Sequence, residues 1–240
     1  MLGTRPAFRP SLRVCAAVLL CLAGAAGCTP EEPPPAPILE PTTAVLTVHL
    51  AGELGLLRPV LAACTAEIPG IGLLVFETPA PELPEGPDEM TLWLGEPPDD
   101  APQAALLGTE TIVVAAHASL GRDAFTEAEV RALFTEGGGP AFEVWVPQAG
   151  QVAREVLDAW LEGGGYPPEA FLSPTPEAAV AAVAADPGAV AVIPSAWLTA
   201  DLSPVFSLGE LPVLALTDRV PEGRMRGLIG CLQLNPVYRK

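Results

Sequence analysis

The residues that could do chemistry lie closest together in VPQAGQVAREVLDAWL, from Val146 to Leu161. The stretch reads as a strand end, a turn carrying Gln148, Gly150 and Gln151, and a helix that opens near Arg154. Such a turn leaves backbone N–H groups free at the positive end of a helix dipole, so its natural ligand is an anion. Arg154 could clamp a carboxylate or phosphate there, or pair with Asp158 at i,i+4 on the helix surface. Four other candidates follow apolar runs in the same way. Gly52 and Glu53 come after Ala44–Ala51, Ser119 after Thr109–Ala118, and Ser195 after AVAVIP. Glu53 is read as a ligand contact or as a charge favoured by a helix N-terminus. The two serines could donate hydrogen bonds, or serve as ordinary turn residues.

Catalytic chemistry finds little support. His49 and His117 are the only histidines and fall on different strands, without metal-ligand spacing. There is no Gly-x-Ser-x-Gly, no Cys/His pair and no Gly-x-x-x-x-Gly-Lys loop. No catalytic residue, metal or cofactor is therefore expected. Trp93, Trp145, Trp160 and Trp197 sit in apolar stretches and read as core, Trp197 being the best placed to line a cleft.

The N-terminus carries an export pattern. Arg5, Arg9 and Arg13 precede VCAAVLLCLAGAAG, and Cys28 follows at once. The run is shorter than the ~20 residues a spanning helix needs, and its small residues suit a cleavage site. LAGAAGC resembles a bacterial lipobox, with Ala25 where leucine is usual. That resemblance implies a signal peptide over 1–27, lipid on Cys28, and an extracytoplasmic or periplasmic domain anchored to the cell membrane. A proline-rich tether over 28–43 would hold it off the surface in extended polyproline II form. Removing the three arginines leaves nine basic residues against 29 acidic, a net of −20 compared with −17 for the whole chain. Such a charge offers nothing to nucleic acid or anionic lipid heads. Cys15 and Cys21 would leave with the signal. Cys64 and Cys231 remain, either as a disulfide in an oxidising compartment or as two buried thiols.

From Ala44 onward strands alternate with helices, which predicts an α/β fold with a largely parallel sheet and helices on both faces. Ala44–Ala51, IGLLVFET, MTLWLGE, Thr109–Ala118, FEVWVP, AVAVIP and LPVLALTD are the expected strands. The helix after Ala51 should kink or start late at Pro59. Thr126 with Glu129 forms a capping box, and Thr175 followed by Pro176 starts a further helix. PPDDAPQAALLG reads as a loop with a helical turn. Sheets of this kind bind ligands where strands end and helices begin.

The order TIVVAAHASLGRDAFTEAEVRALFTEG, FEVWVPQAGQVAREVLDAWL, AAVAAVAADPGAVAVIPSAWL resembles phosphate-type periplasmic substrate-binding proteins. LTVHLAGELGLLRPVL fits their first strand and ligand loop more loosely. The resemblance covers roughly Ala44 to Gln233. It implies a two-lobed type 2 periplasmic-binding-protein-like fold, lobe 1 formed by 44–112 and 198–240, lobe 2 by 113–197. The first lobe is shortened, because no clear second helix lies between its second and third strands. It further implies an ABC-importer lipoprotein, monomeric, with a small-molecule or anion ligand and a permease as partner. The alternative is an envelope sensor or interaction lipoprotein that keeps the fold without transport.

Against the family's Gly-Ser-Gly-Thr-Arg loop, Gly150 and Arg154 match. Gln151 replaces the serine, Val152 the second glycine and Ala153 the threonine. Both hydroxyl donors are missing. Glu53 stands near a family Ser or Thr, where a carboxylate would repel phosphate by about 4 kcal/mol at ~4 Å in an effective dielectric of ~20. That exceeds the ~1 kcal/mol of an ordinary hydrogen bond. Phosphate binding in the family's manner is thus disfavoured.

Overall fold

In the computed structural model the described residues are 43–78, 82–101, 103–121, 124–137, 142–163, 165–235 and 237. The expected signal peptide, Cys28 and all of the tether except Thr43 lie outside them. Eight strands hydrogen-bond into one sheet. They are β1 (Ala44–Ala51), β2 (Ile71–Thr78), β3 (Glu89–Leu94), β4 (Gln103–His117), β5 (Glu143–Pro147), β6 (Phe171–Ser173), β7 (Ala189–Pro194) and β8 (Leu202–Thr217). The strand order is β2-β1-β3-β8-β4-β7-β5-β6. The helices are α1 (Arg58–Glu67), α2 (Glu127–Glu136), α3 (Val152–Trp160), α4 (Pro176–Ala185) and α5 (Gly223–Leu234).

The sheet is less parallel than the alternation suggests. β1 runs parallel to β2 and β3, and β5 to β6 and β7. The centre is antiparallel, through β3–β8, β4–β8 and β4–β7. β4 and β8 are the long members, with 15 and 16 residues, and pair with each other from Gln103–Thr217 to His117–Leu202. One end of this ribbon carries β3, β1 and β2; the other carries β7, β5 and β6. Gln103–Gly108, expected as loop, is instead the first part of β4.

Side-chain alternation sets the layers. Ile112, Val114 and Ala116 of β4 point into the main core, with Val190 and Val192 of β7. Val113 and Ala115, with Ala189, Ala191 and Ile193, point the other way and pack on Ala179 and Val183 of α4. All six β7 residues are buried because both faces are covered. On the β1–β2 side only one face is covered: Leu46, Val48 and Leu50 are buried, whereas Val45, Leu74 and Phe76 are each half exposed. No helix is present among the described residues between Thr78 and Glu89.

Local signals act as sequence chemistry dictates. Pro59 lies in the first turn of α1, where its missing N–H costs no helix bond, and a 3-10 turn over Gly52–Leu57 precedes it. Thr126 and Glu129 form the reciprocal capping box of α2. The Thr175 hydroxyl caps α4 at the Ala178 amide. Cys64 of α1 and Cys231 of α5 form a disulfide, with Cα atoms 5.8 Å apart. Among the described residues no helix is long and apolar enough to cross a membrane.

Candidate functional site

A cavity of about 430 Å³ opens where the two sides of the sheet meet. Gly52, Glu53, Glu77 and Thr78 line it from the ends of β1 and β2; Gln148, Ala149 and Gln151 from the β5–α3 turn; Pro174, Thr175 and Pro176 from the start of α4. Every wall is the end of a strand or the start of a helix or 3-10 turn. Four sequence candidates therefore meet here: Gly52, Glu53, Gln148 and Gln151.

Glu53 is the centre of the arrangement. It is 2 % exposed, in the 3-10 turn after β1. Its Oε1 accepts a hydrogen bond of 2.8 Å from the backbone N–H of Ala153, in the first turn of α3. Helix α3 has no cap from its own N-cap residue, Gln151. A carboxyl group 100 residues earlier in the chain supplies one instead. Burial pushes the Glu53 carboxyl up to about 7, against the Ala153 and Val152 amides, which pull it down; Glu155 adds to the rise. Trp197, in a 3-10 turn after β7, donates its Nε1–H to the Glu53 carbonyl at 2.8 Å. Its ring lies against Gly55, where a side chain would start 3.4 Å from the indole.

The remaining loop residues are turned to structural tasks. The Gln151 amide nitrogen donates to the carbonyls of Ser173 and Pro174, at 2.9 and 3.0 Å. Gly150 adopts φ 93°, a left-handed value that suits glycine, at the turn beside the cavity lining. The Arg154 guanidinium bonds both Asp158 carboxylate oxygens, at 3.0 and 3.1 Å, and the Pro147 carbonyl at 3.1 Å. It also stacks 4.1 Å over the Tyr166 ring. The Tyr166 hydroxyl bonds Asp158, and burial, then that bond, raise its pKa. Of the two readings of Arg154, the geometry is that of the i,i+4 pair.

Ser119 and Ser195 are not part of the cavity wall. Ser119 Oγ lies 2.7 Å from His117 Nδ1, just past the end of β4. Ser195 Oγ donates to Glu110 Oε1 at 2.7 Å, an oxygen that also accepts from the amides of Ala196 and Thr111. Glu110 is the residue that sequence reasoning missed. Buried in the middle of β4, it fixes the turn that carries Trp197 to Glu53. Its signal was a lone acid, Thr-Glu-Thr, opening an otherwise apolar strand.

No protein-family model matches the chain, and no curated protein matches it. Solved structures do. A putative phosphate ABC transporter substrate-binding protein with bound phosphate from Clostridium perfringens superposes with a TM-score of 0.62 at 12 % identity, over 78 % of this chain and 92 % of that one. The Synechocystis PCC6803 CcmR regulatory domain in complex with 2-PG gives 0.58 at 15 %, over 82 % and 98 %. The reduced OxyR regulatory domain from Pseudomonas aeruginosa gives 0.55 at 15 %, over 80 % and 98 %. At these identities the likeness is one of fold. The chain has the mixed α/β, type 2 periplasmic-binding-like architecture, shared by transport receptors and regulatory domains alike.

Proposed function

We propose that the chain is an exported, lipid-anchored solute-binding protein that takes a small solute other than phosphate and presents it to an ABC permease. The cavity carries this reading. Residues from both sides of the sheet line it, and the α3 start, where the family's loop would hold an anion, is occupied by the Glu53 side chain. The lobes would be 44–112 with 198–240, and 113–197, the chain crossing between them within β4 and again just before β8. Export and anchoring rest on the arginine-led apolar run and Cys28. Calorimetry with inorganic phosphate tests the ligand side: no saturable heat is expected, and a micromolar constant would overturn the reading. A Cys28→Ser chain that stays membrane-bound would overturn the anchor. Solute uptake unchanged in a strain lacking the chain would overturn the transport role.

A second reading is an envelope sensor without transport. Glu53 favours it, because a carboxyl group of the chain itself bridges the two sides of the cleft. The CcmR and OxyR domains show that the fold also occurs in regulators.

A further inference from the structure

The cavity wall is largely apolar, its polar groups include two carboxyls, and among the described residues it carries no cation. Glu53 and Glu77 bring carboxyl groups, and among the described residues no Lys, Arg or His belongs to the lining. Arg58 reaches Glu77 from outside the wall and pairs with its Oε2; the other oxygen faces Gly52, 3.6 Å from where a Cβ there would stand. Thr78 adds a hydroxyl oxygen that is closed off from solvent and has no hydrogen-bond partner among the described residues. Because Gln151 spends its amide nitrogen on two carbonyls, its acceptor oxygen is the end left over. A net charge of −17 draws cations towards such a cleft.

From this we infer that the cavity binds a small organic cation bearing a primary ammonium group, held by Glu77, Glu53 and Thr78. This inference rests on the solute-binding reading and names its ligand class. An ammonium brings N–H donors to a wall whose charged groups are acceptors, and its bonds to carboxylates are charge-assisted. An anion meets the opposite situation, with two carboxyl groups and one helix start already capped. A bare metal ion fits less well. No group of three or more His, Cys, Asp or Glu among the described residues is placed to hold one. A quaternary ammonium would want an aromatic wall, and among the described residues no aromatic side chain lines the cavity.

The test is calorimetry of the full-length chain at pH 8 with 1,4-diaminobutane and ethanolamine. Their uncharged counterparts, 1,4-butanediol and ethylene glycol, serve as controls. Saturable binding of an amine, at least ~10-fold tighter than its diol, is expected; tenfold is the loss of one modest polar contact. Glu77→Gln should weaken it by a similar factor while leaving the melting temperature in place, since the Glu77–Arg58 pair is solvent-exposed. Diols that bind as tightly as amines, or amine binding indifferent to Glu77→Gln, would overturn the ammonium assignment and leave the solute site standing. Failure of both amines and diols, together with a flat thermal-shift screen of sugars and amino acids, would overturn both.

Discussion

The carboxyl oxygen of Glu53 accepts a hydrogen bond from the amide of Ala153, 2.8 Å away and 100 residues further along the chain. One contact thus joins the turn after β1 to the first turn of α3. It puts an acid of the protein where an anion-cradling loop would put its ligand.

The first consequence is a pH dependence of stability. The folded chain holds the Glu53 proton up to about 7, compared with 4.5 for the free side chain. Between those values the folded state binds more protons than the unfolded state. The contribution is therefore fully present below pH 4.5, declines as pH rises, and is gone above about 7. At ~1.4 kcal/mol per pH unit the change is on the order of 3 kcal/mol. Urea unfolding of the wild type and of Glu53→Gln, compared from pH 4.5 to 8, should show their difference moving by that amount in that direction. A difference that stays flat with pH would refute the buried-acid description.

Arg154 should behave as a structural residue. It ties Asp158, the Pro147 carbonyl and the Tyr166 ring together on one side of α3. Arg154→Ala should cost ~1–2 kcal/mol through lost packing and lost bonds. Amine affinity, read by calorimetry, should change less than about threefold, equivalent to ~0.6 kcal/mol. A collapse of affinity with stability intact would return Arg154 to the site.

Trp197 is the link between the Glu110-held turn and Glu53. Trp197→Phe keeps an aromatic ring against Gly55 but removes the Nε1 donor, leaving the Glu53 carbonyl short of a partner. A loss of ~1–3 kcal/mol in denaturant unfolding is expected. Melting equal to that of the wild type would show that the bond contributes nothing.

The Cys64–Cys231 bridge closes a loop with a sequence separation of 167 residues. Fixing so long a loop restricts the unfolded chain strongly, so reduction should cost ~2–5 kcal/mol. Intact mass with and without reductant should differ by two hydrogens, and the reduced protein should unfold at lower urea. A chain whose mass does not change on reduction would contradict the bridge.

Much of this was legible beforehand because it is local. Thr126 with Glu129, Thr175 with Pro176, and the late start at Pro59 are decided within a single turn of chain, where a hydroxyl or a missing N–H acts on its near neighbours. The strands of the core declared themselves by apolar runs. The long ends of β4 and β8 did not. Gln103–Gly108 follows a proline-rich stretch, and Leu202–Glu210, which precedes the expected strand LPVLALTD, contains Pro204 and Gly209. In the fold the β4–β8 register shifts between Leu106 and Gly108, between Ile112 and Val113, and between Val114 and Ala115, and Pro204 sits beside the last shift, paired with Ala115. A proline at an irregularity is tolerated because a ladder bond is already lost there.

By itself the sequence determined the α/β class, the caps, and the loss of both hydroxyl donors from the Gln148–Arg154 turn, since these depend on residue type and near neighbours. Only the tertiary structure decided what took the place of those donors. The antiparallel β4–β8 ribbon brings the ends of β1 and β5 together, so Glu53 reaches Ala153 and Arg154 is left to Asp158. Such a pairing is invisible to periodicity. It is set by strand register and by the cost of burying a carboxyl group without a donor, and both are properties of the assembled sheet.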